Sequence, residues 1–278
     1  LFEAEESSES RSQGGTLDIH GDSGQLALKA AQLFSEFEKY ARHDGSAFKI
    51  IGKDATVGWA DDGLGGRGDR PEIDRRVLRK ILLESLDEGT VTWGKKVIKV
   101  SEDTSSTIDT PQFTVELEGG EKESGFELVV GAEGAWSKVR DLLTDENPFY
   151  SGITCVEAQI DDIDARYPEL ANRVGAGTCF QVHQDRALIS QRLGDGSIRT
   201  SAMIRAGEDW PTSCGINWAD DHASKCALID EKFADWEQLG KDMILRSDGP
   251  LVVRPLYMLP IEMKWATRPG YVLSSSNS

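Results

Sequence analysis

This chain predicts an α/β fold with a β-rich second region, on three observations. A short apolar strand runs into a glycine turn and then a polar stretch at residues 127–140, ELVVGAEGAWSKVR. Apolar residues recur at helical spacing between Pro71 and Leu86, and β-like runs follow one another from Ser151 to Ile204. In the first of these, Leu128 to Val130 form the strand, and Gly131 and Gly134 remove side chains where something approaches closely. Ser137 to Arg140 supply hydrogen-bond donors. On pattern alone the turn is either a nucleotide cradle or an ordinary strand-to-helix connection.

Taken in order, residues 24–41 carry Leu26, Ala30, Leu33, Phe34 and Phe37 on one helical face. The run from Gly63 to Gly68, GLGGRG, matches Gly-x-Gly-x-x-Gly literally. It follows Trp59-Ala60-Asp61-Asp62 and enters Asp69-Arg70-Pro71 with no helical pattern behind it, so it reads as a flexible loop. From residue 71 an amphipathic helix gathers Val77, Leu78, Ile81, Leu82 and Leu86, with Asp74 suited to its cap and Arg75 in its first turn. Arg79, one turn on, reads as exposed or paired with Glu84 or Asp87. Residues 91–118 alternate as two strands joined by the polar linker 102–111, and a short helix after Arg140 ends near Asn147-Pro148. The β-like runs at 151–160, 178–182, 187–193 and 197–204 suggest a sheet with one face free to roof a substrate. A second amphipathic helix follows at 219–238 through Ala223, Cys226, Ile229, Phe233 and Trp236, then a strand at 251–253.

Composition narrows the classes. The chain has 278 residues, room for one large or two modest domains. With 31 basic and 48 acidic residues its net charge is −17, which repels nucleic-acid phosphate and anionic membrane surfaces. No apolar run approaches the roughly 18 to 20 residues that span a bilayer. Cys155, Cys179, Cys214 and Cys226 lack Cys-x-x-Cys spacing, and His20, His43, His183 and His222 lack metal-ligand spacing. Reduced, structural cysteines in a cytoplasmic protein without a metal are therefore expected. Arg67-Gly68-Asp69 is a chance tripeptide in an acidic, glycine-rich chain.

Residues 127–140 resemble the GADG motif of class A flavoprotein monooxygenases, the aromatic-hydroxylase family, with Glu133 where that pattern has aspartate. Residues 3–20, EAEESSESRSQGGTLDIH, are similar in residue and spacing to the tetracycline-degrading flavin monooxygenases and their fungal and bacterial relatives. The resemblance implies a Rossmann-like FAD-binding domain of glutathione-reductase type with an α+β sheet substrate domain. It places the FAD-binding domain at 1–150, the substrate domain at 151–260 and a truncated return to the first at 261–278. It further implies that Gly131, Glu133 and Gly134 lie against FAD and the nicotinamide coenzyme, and that Glu3 holds the adenosine ribose, a carboxylate accepting from two vicinal hydroxyls. Arg75 would contact the cofactor through its fork of donors, and Gly15 and Asp18 would lie near the flavin ring edge. Taken alone, Glu3 is a solvated charge near a terminus, and Gly15 with Asp18 is a glycine turn with an Asx cap. For the second sheet the resemblance implies Glu157 and Arg199 as polar substrate contacts and Phe180 and Met203 as pocket walls. A cross-strand charge pair or solvent exposure is the other reading of Glu157 and Arg199.

The activity so implied is FAD-dependent monooxygenation of an aromatic or polycyclic small molecule through a flavin C4a-hydroperoxide. NADPH is the implied electron donor, and the complete protein is expected to be a monomer. No catalytic acid/base dyad is singled out, because the cofactor performs the oxygen chemistry. The family's opening strand with its Gly-x-Gly-x-x-Gly turn is not found before Glu3. After Arg254-Pro255-Leu256-Tyr257-Met258-Leu259-Pro260 and residues 265–273, the chain reads Ser274 to Ser278 in place of a Gly-Asp-Ala-Ala-His turn. A truncated or impaired chain with weakened FAD binding is therefore expected. A non-catalytic flavoprotein remnant and another flavin oxidoreductase, such as a reductase or halogenase, are the alternatives, although the halogenase pattern Trp-x-Trp-x-Ile is not seen.

Overall fold

The computed structural model describes residues 1–10, 14–63, 70–107, 109–266 and 269–273. In chain order the strands are β1 (Thr16–Asp18), β2 (Phe48–Gly52), β3 (Val57–Asp61), β4 (Glu72–Asp74), β5 (Val97–Glu102), β6 (Phe113–Leu117) and β7 (Lys122–Phe126). They continue as β8 (Val129–Gly131), β9 (Phe149–Ile160), β10 (Thr178–His183), β11 (Arg186–Arg192), β12 (Ile198–Arg205), β13 (Asp248–Met258) and β14 (Tyr271–Leu273). The helices are α1 (Gly24–Ala30), α2 (Phe34–Glu38), α3 (Arg75–Glu84), α4 (Ile163–Arg166), α5 (Pro168–Val174), α6 (Trp210–Ser213), α7 (Asp221–Leu228) and α8 (Gln238–Leu245). The fold is mixed α/β, in two compact units that are each assembled from separated stretches of chain. One comprises Leu1–Arg11, Leu86–Ser151 and Tyr257–Ser278, the other Ser12–Ser85 and Gly152–Leu256.

The first unit holds the antiparallel sheet β5-β6-β7 and the parallel pair β8-β14. Alternation in β6 buries Phe113, Val115 and Leu117, which pack with Val100, Val129 and Val139. The two strands expected at 91–118 are therefore present, and β7 adds a third. The stretch after β8 departs from expectation. Only the 3-10 turns Gly134–Trp136 and Arg140–Leu142 form, in place of an α-helix. Leu128 and Val130 are exposed on either side of buried Val129, so the strand has one buried face.

The second unit is built on a seven-stranded sheet of order β13-β9-β12-β11-β10-β2-β3. The pairings from β9 through β12 and β11 to β10 are antiparallel, and β10 runs parallel to β2. The four β-like runs read from the sequence are these strands, β9 to β12. Burial in β12 alternates strictly from Ile198 to Ile204, as it must where one sheet face meets a core and the other does not. On the covered face Val156, Leu188 and Ala202 pack against Leu228, Phe233, Trp236 and Ile244 of the helical layer. Asp220 caps α7 by accepting from the Ala223 amide (2.9 Å), and Glu237 caps α8 by accepting from Leu239 and Gly240.

Three helical expectations are corrected. Residues 24–41 form two short helices, because Gln32 takes a left-handed conformation (φ 60°) between them. Leu28 and Phe37 are buried there, while Leu26 and Ala30 are exposed. The 219–238 helix is α7 followed by a π turn at Ile229–Phe233, with Ala223 exposed. Asp74 precedes α3 in an extended conformation but makes no capping bond. Its carboxylate instead accepts from the Gly194 amide at 3.0 Å to each oxygen. In α3 only Ile81 is fully buried, and Leu82 and Leu86 are exposed.

Phe233 is fully buried and meets Trp236 edge-on at 5.0 Å between ring centroids. Phe233→Ala is expected to destabilise the second unit by about 3 to 5 kcal/mol through the cavity it leaves. Urea unfolding followed by tryptophan fluorescence measures this.

Candidate functional site

Two rungs of the seven-stranded sheet run across the face turned away from the helical layer. The register aligns Glu157, Ser201, Ile189 and Phe180 in one rung, and Arg199, Gln191, Thr178 and Phe48 in the next. All eight line one cavity of about 360 Å³ within the second unit, a volume suited to a small molecule. Its other wall is the antiparallel ribbon β1-β4 with its flanks, which contribute Gly15, Thr16, Asp18, Arg70 and Glu72, together with Gly45 to Ala47. The ribbon is held to the sheet where the Thr16 amide donates to Gln191 Oε1 at 3.0 Å. A Cβ on Gly15 would run into that same oxygen, so a larger residue there would displace the Gln191 side chain from the Thr16 amide.

The sheet wall is apolar at one end and charged at the other. The Phe48 and Phe180 rings lie 4.8 Å apart, and Trp59 extends them toward the sheet edge, 5.5 Å from Phe48. At the charged end, Arg199 Nη2 and Arg254 Nε each lie 3.1 Å from Glu157 Oε2. The cross-strand charge pair and the cavity lining are thus the same two residues. Arg199 Nε and Nη1 are buried and have no hydrogen-bond partner among the described residues. An unmet buried donor costs about 1 to 3 kcal/mol.

The ribbon wall centres on Glu72, which is 4% exposed. Its Oε2 accepts from Thr16 Oγ1 (2.7 Å) and Arg42 Nη2 (2.9 Å). Arg42 and Glu72 also exchange backbone hydrogen bonds, at 2.7 and 3.0 Å. On the opposite side of β4, Asp18 is the cross-strand partner of Glu72. Burial raises the Glu72 pKa to about 7. The Thr16 hydroxyl and Arg42 oppose that shift, while Asp18 and Asp74 add to it. Cys155 lies two residues from Glu157 on β9, and burial pushes its thiol up to about 11, which leaves it protonated and unreactive.

Of the residues anticipated from sequence, Gly15, Asp18, Glu157, Phe180 and Arg199 line this cavity. Met203 shares the β12 face of Arg199 and Ser201 but falls one rung outside the lining. Arg75 opens α3 in the same unit, its Cδ 3.5 Å from where a Gly14 Cβ would stand. Glu3, Gly131, Glu133 and Gly134 belong to the other unit. Glu3 is fixed by backbone bonds to Thr92 and Lys95, and one of its carboxylate oxygens accepts from the Glu5 amide at 3.0 Å. In the glycine turn the expected free donors are turned inward. Ser137 Oγ donates to Glu133 Oε2 (2.8 Å), the Lys138 amide donates to Glu133 Oε1 (3.2 Å), and Arg140 Nη1 donates to the Ala135 carbonyl. A Cβ on Gly131 would stand 2.7 Å from Val139 Cβ and 2.8 Å from Ser137 Oγ, and Gly134 has a positive φ of 76°. The Gly-x-Gly-x-x-Gly match at 63–68 lies, beyond Gly63, outside the described residues, as do Arg67-Gly68-Asp69 and Ser274 to Ser278.

Glu72, Arg42, Thr16 and Gln191 were not anticipated. Alternation along β10 and β12 carries the signal for Thr178 and Ser201, which share faces with Phe180 and Arg199. Nothing in the run Pro71-Glu72-Ile73-Asp74 marks Glu72 as buried.

The fold is shared with solved structures, and the sequence has relatives. No family model matches the chain. It is 25% identical over 286 residues to monooxygenase asqM of Emericella nidulans, covering 88% of this chain and 63% of that protein. It is 26% identical over 285 residues to monooxygenase penA of Penicillium thymicola, covering 89% of this chain and 64% of that one. The chain thus spans less than two thirds of the length of either relative. Klebsiella pneumoniae HpxO, crystallised with FAD and uric acid, superposes over 98% of this chain and 64% of its own, with a TM-score of 0.70 at 16% identity. The chain is therefore a relative of the FAD-dependent monooxygenases, an oxidoreductase class, and has the fold of class A flavin monooxygenases. Among the described residues no helix is long and apolar enough to cross a membrane, and no group of His, Cys, Asp and Glu is arranged to hold a metal.

The raised Glu72 pKa has a direct consequence for stability. Between the ordinary carboxyl value of 4.5 and about 7 the folded chain binds a proton that the unfolded chain releases, so stability falls as pH rises through that window. The contribution is fully present below pH 4.5 and lost above about 7. It amounts to roughly 3 kcal/mol at most. Urea unfolding at a series of pH values should show this slope in the native chain, and Glu72→Gln should flatten it.

Proposed function

We propose that the whole protein is an FAD-dependent, NAD(P)H-using monooxygenase, and that the cavity of the second unit receives its aromatic or polycyclic substrate. The observation that carries this reading is the division of that cavity's sheet wall into an aromatic end and a charged end within two adjacent rungs. Phe48, Phe180 and Ile189 offer an apolar surface to a planar ring. Arg199, paired with Glu157 on the same wall, offers its guanidinium charge to a carbonyl or oxyanion on that ring. The wall so orients one edge of a substrate while its apolar end excludes water.

The donor and acceptor set fits FAD in kind. Glu3 supplies carboxylate oxygens for ribose hydroxyls and Arg75 a guanidinium for phosphate or ring oxygens. Gly15 and Asp18 are proposed near the flavin ring edge, and the turn Gly131, Glu133, Gly134 against the dinucleotide. When bound, the cofactor supplies the electron transfer and oxygen chemistry. The chain's own residues supply binding, orientation and a dry apolar wall. In the glycine turn, the engagement of Glu133 with Ser137 and Lys138 leaves its task as holding the turn's shape. Met203, one rung beyond the lining, extends the same wall for a longer substrate.

Arg75→Ala is expected to loosen FAD by about 1 to 3 kcal/mol, read by titration of flavin absorbance. The FAD-loaded protein should consume oxygen with NADPH in the presence of some member of a panel of phenols and polycyclic enols. Silence across the whole panel would sink the monooxygenase reading, and unchanged FAD titration in Arg75→Ala would remove that residue from the cofactor site.

A further inference from the structure

The two walls of the cavity differ in what they offer a ligand. The sheet wall supplies donors through Arg199, whereas the ribbon wall supplies a carboxyl, Glu72, set in a frame that fixes it from three sides. Asp18 pairs with it across β1-β4, and Arg42 bridges its backbone on the other side. The 3-10 turn before β2 brings Gly45 close to it, and a Cβ there would stand 3.0 Å from Glu72 Oε2, a tight contact. The hydrogen bonds from Thr16 and Arg42 both fall on Oε2. Burying a carboxyl is costly unless it is hydrogen-bonded or neutralised, and one placed on the wall of a ligand-sized cavity is a candidate functional group.

We propose that Glu72 is the proton-accepting residue of this cavity, taking a hydrogen bond and then the proton from the acidic hydroxyl of a phenolic or enolic ligand. This rests on the cavity being the substrate site. In the step, the ligand O–H bond breaks and an O–H bond forms on the Glu72 carboxylate. The electron pair stays on the ligand oxygen, making the ring more electron-rich, and the net charge of the pair is unchanged. The positive charge of Arg199 on the facing sheet wall favours the oxyanion so formed. Glu72 accepts only when ionised. Its ionisation is governed by burial first, then by the Thr16 hydroxyl, Arg42 beside it, Asp18 on β1 and Asp74 on its own strand, and the other charged groups facing the cavity are Arg70, Glu157 and Arg199. Asp44, on the turn that carries Gly45, is exposed to solvent.

Equilibrium dialysis of the purified protein against 2-naphthol and 2-methoxynaphthalene tests this. The window is about pH 5.5 to 8.5, below the ~10 at which a phenolic hydroxyl ionises. Naphthol affinity should rise about tenfold across the window with its midpoint near the Glu72 titration, while the methoxy compound should show no slope. Glu72→Gln should abolish the naphthol slope. Thr16→Val, which removes a hydroxyl that favours the ionised carboxylate, should move the midpoint upward. A naphthol slope that survives in Glu72→Gln, or an equal slope for the methoxy compound, overturns the role of Glu72 and leaves the cavity reading standing. If Glu72→Gln does not fold, the Thr16→Val midpoint decides, and an unmoved midpoint overturns the proposal. Absence of binding by either compound at any pH overturns the cavity reading and this proposal with it.

Discussion

The second unit depends on the two-residue period of its sheet being kept in register across β9, β12, β11 and β10. Val156, Ala202 and Leu188 face the helical layer, while their chain neighbours Glu157, Ser201 and Ile189 face the cavity. A slip of one residue in β12 would drive Arg199 into the apolar cluster around Phe233 and turn Ala202 and Ile204 outward. Burying that guanidinium away from Glu157 costs several kcal/mol. Core and site are thus two faces of one constraint, and the apolar packing that stabilises the helical layer also aims the charged groups.

The ribbon β1-β4 is a local exception to good pairing. Asp18 stands directly opposite Glu72, and Asp74 follows two residues on, so like charges crowd a three-residue strand pair. Arg42 and the Thr16 hydroxyl offset part of this, and protonation of Glu72 relieves the rest. Surrounding backbone hydrogen bonds, among them the pair exchanged by Arg42 and Glu72, hold this local conflict in place.

In the first unit the glycine turn after β8 owes its form to its own side chains. Gly131 is required because Val139, Ser137 and Glu133 occupy the space a Cβ needs. The carboxylate of Glu133 stitches the turn to Ser137 and Lys138, and Arg140 reaches back to the Ala135 carbonyl. The motif that carries the family resemblance therefore has a complete internal reason for its glycine. Backbone shaped this closely is also what a dinucleotide needs to approach.

The sequence by itself determined the strands β9 to β12, because each is a continuous β-like run, and the start of α3 at Arg75, because its apolar spacing is regular. It determined the relationship to flavin monooxygenases through residues 3–20 and 127–140, and that resemblance singled out Glu157, Phe180 and Arg199, which line the cavity. Asp74 was legible as a helix boundary but not as the partner of the Gly194 amide, since that contact joins residues 120 positions apart. Only the tertiary structure decided that 12–85 packs with 152–256, that Gln32 breaks the first helix, and that Met203 falls one rung beyond the cavity. It alone decided the state of Glu72. A glutamate's proton affinity is set by desolvation and by charges brought near it in space, and Asp18, Arg42 and Thr16 reach it through strand pairing and side-chain contacts that no periodicity in the chain encodes.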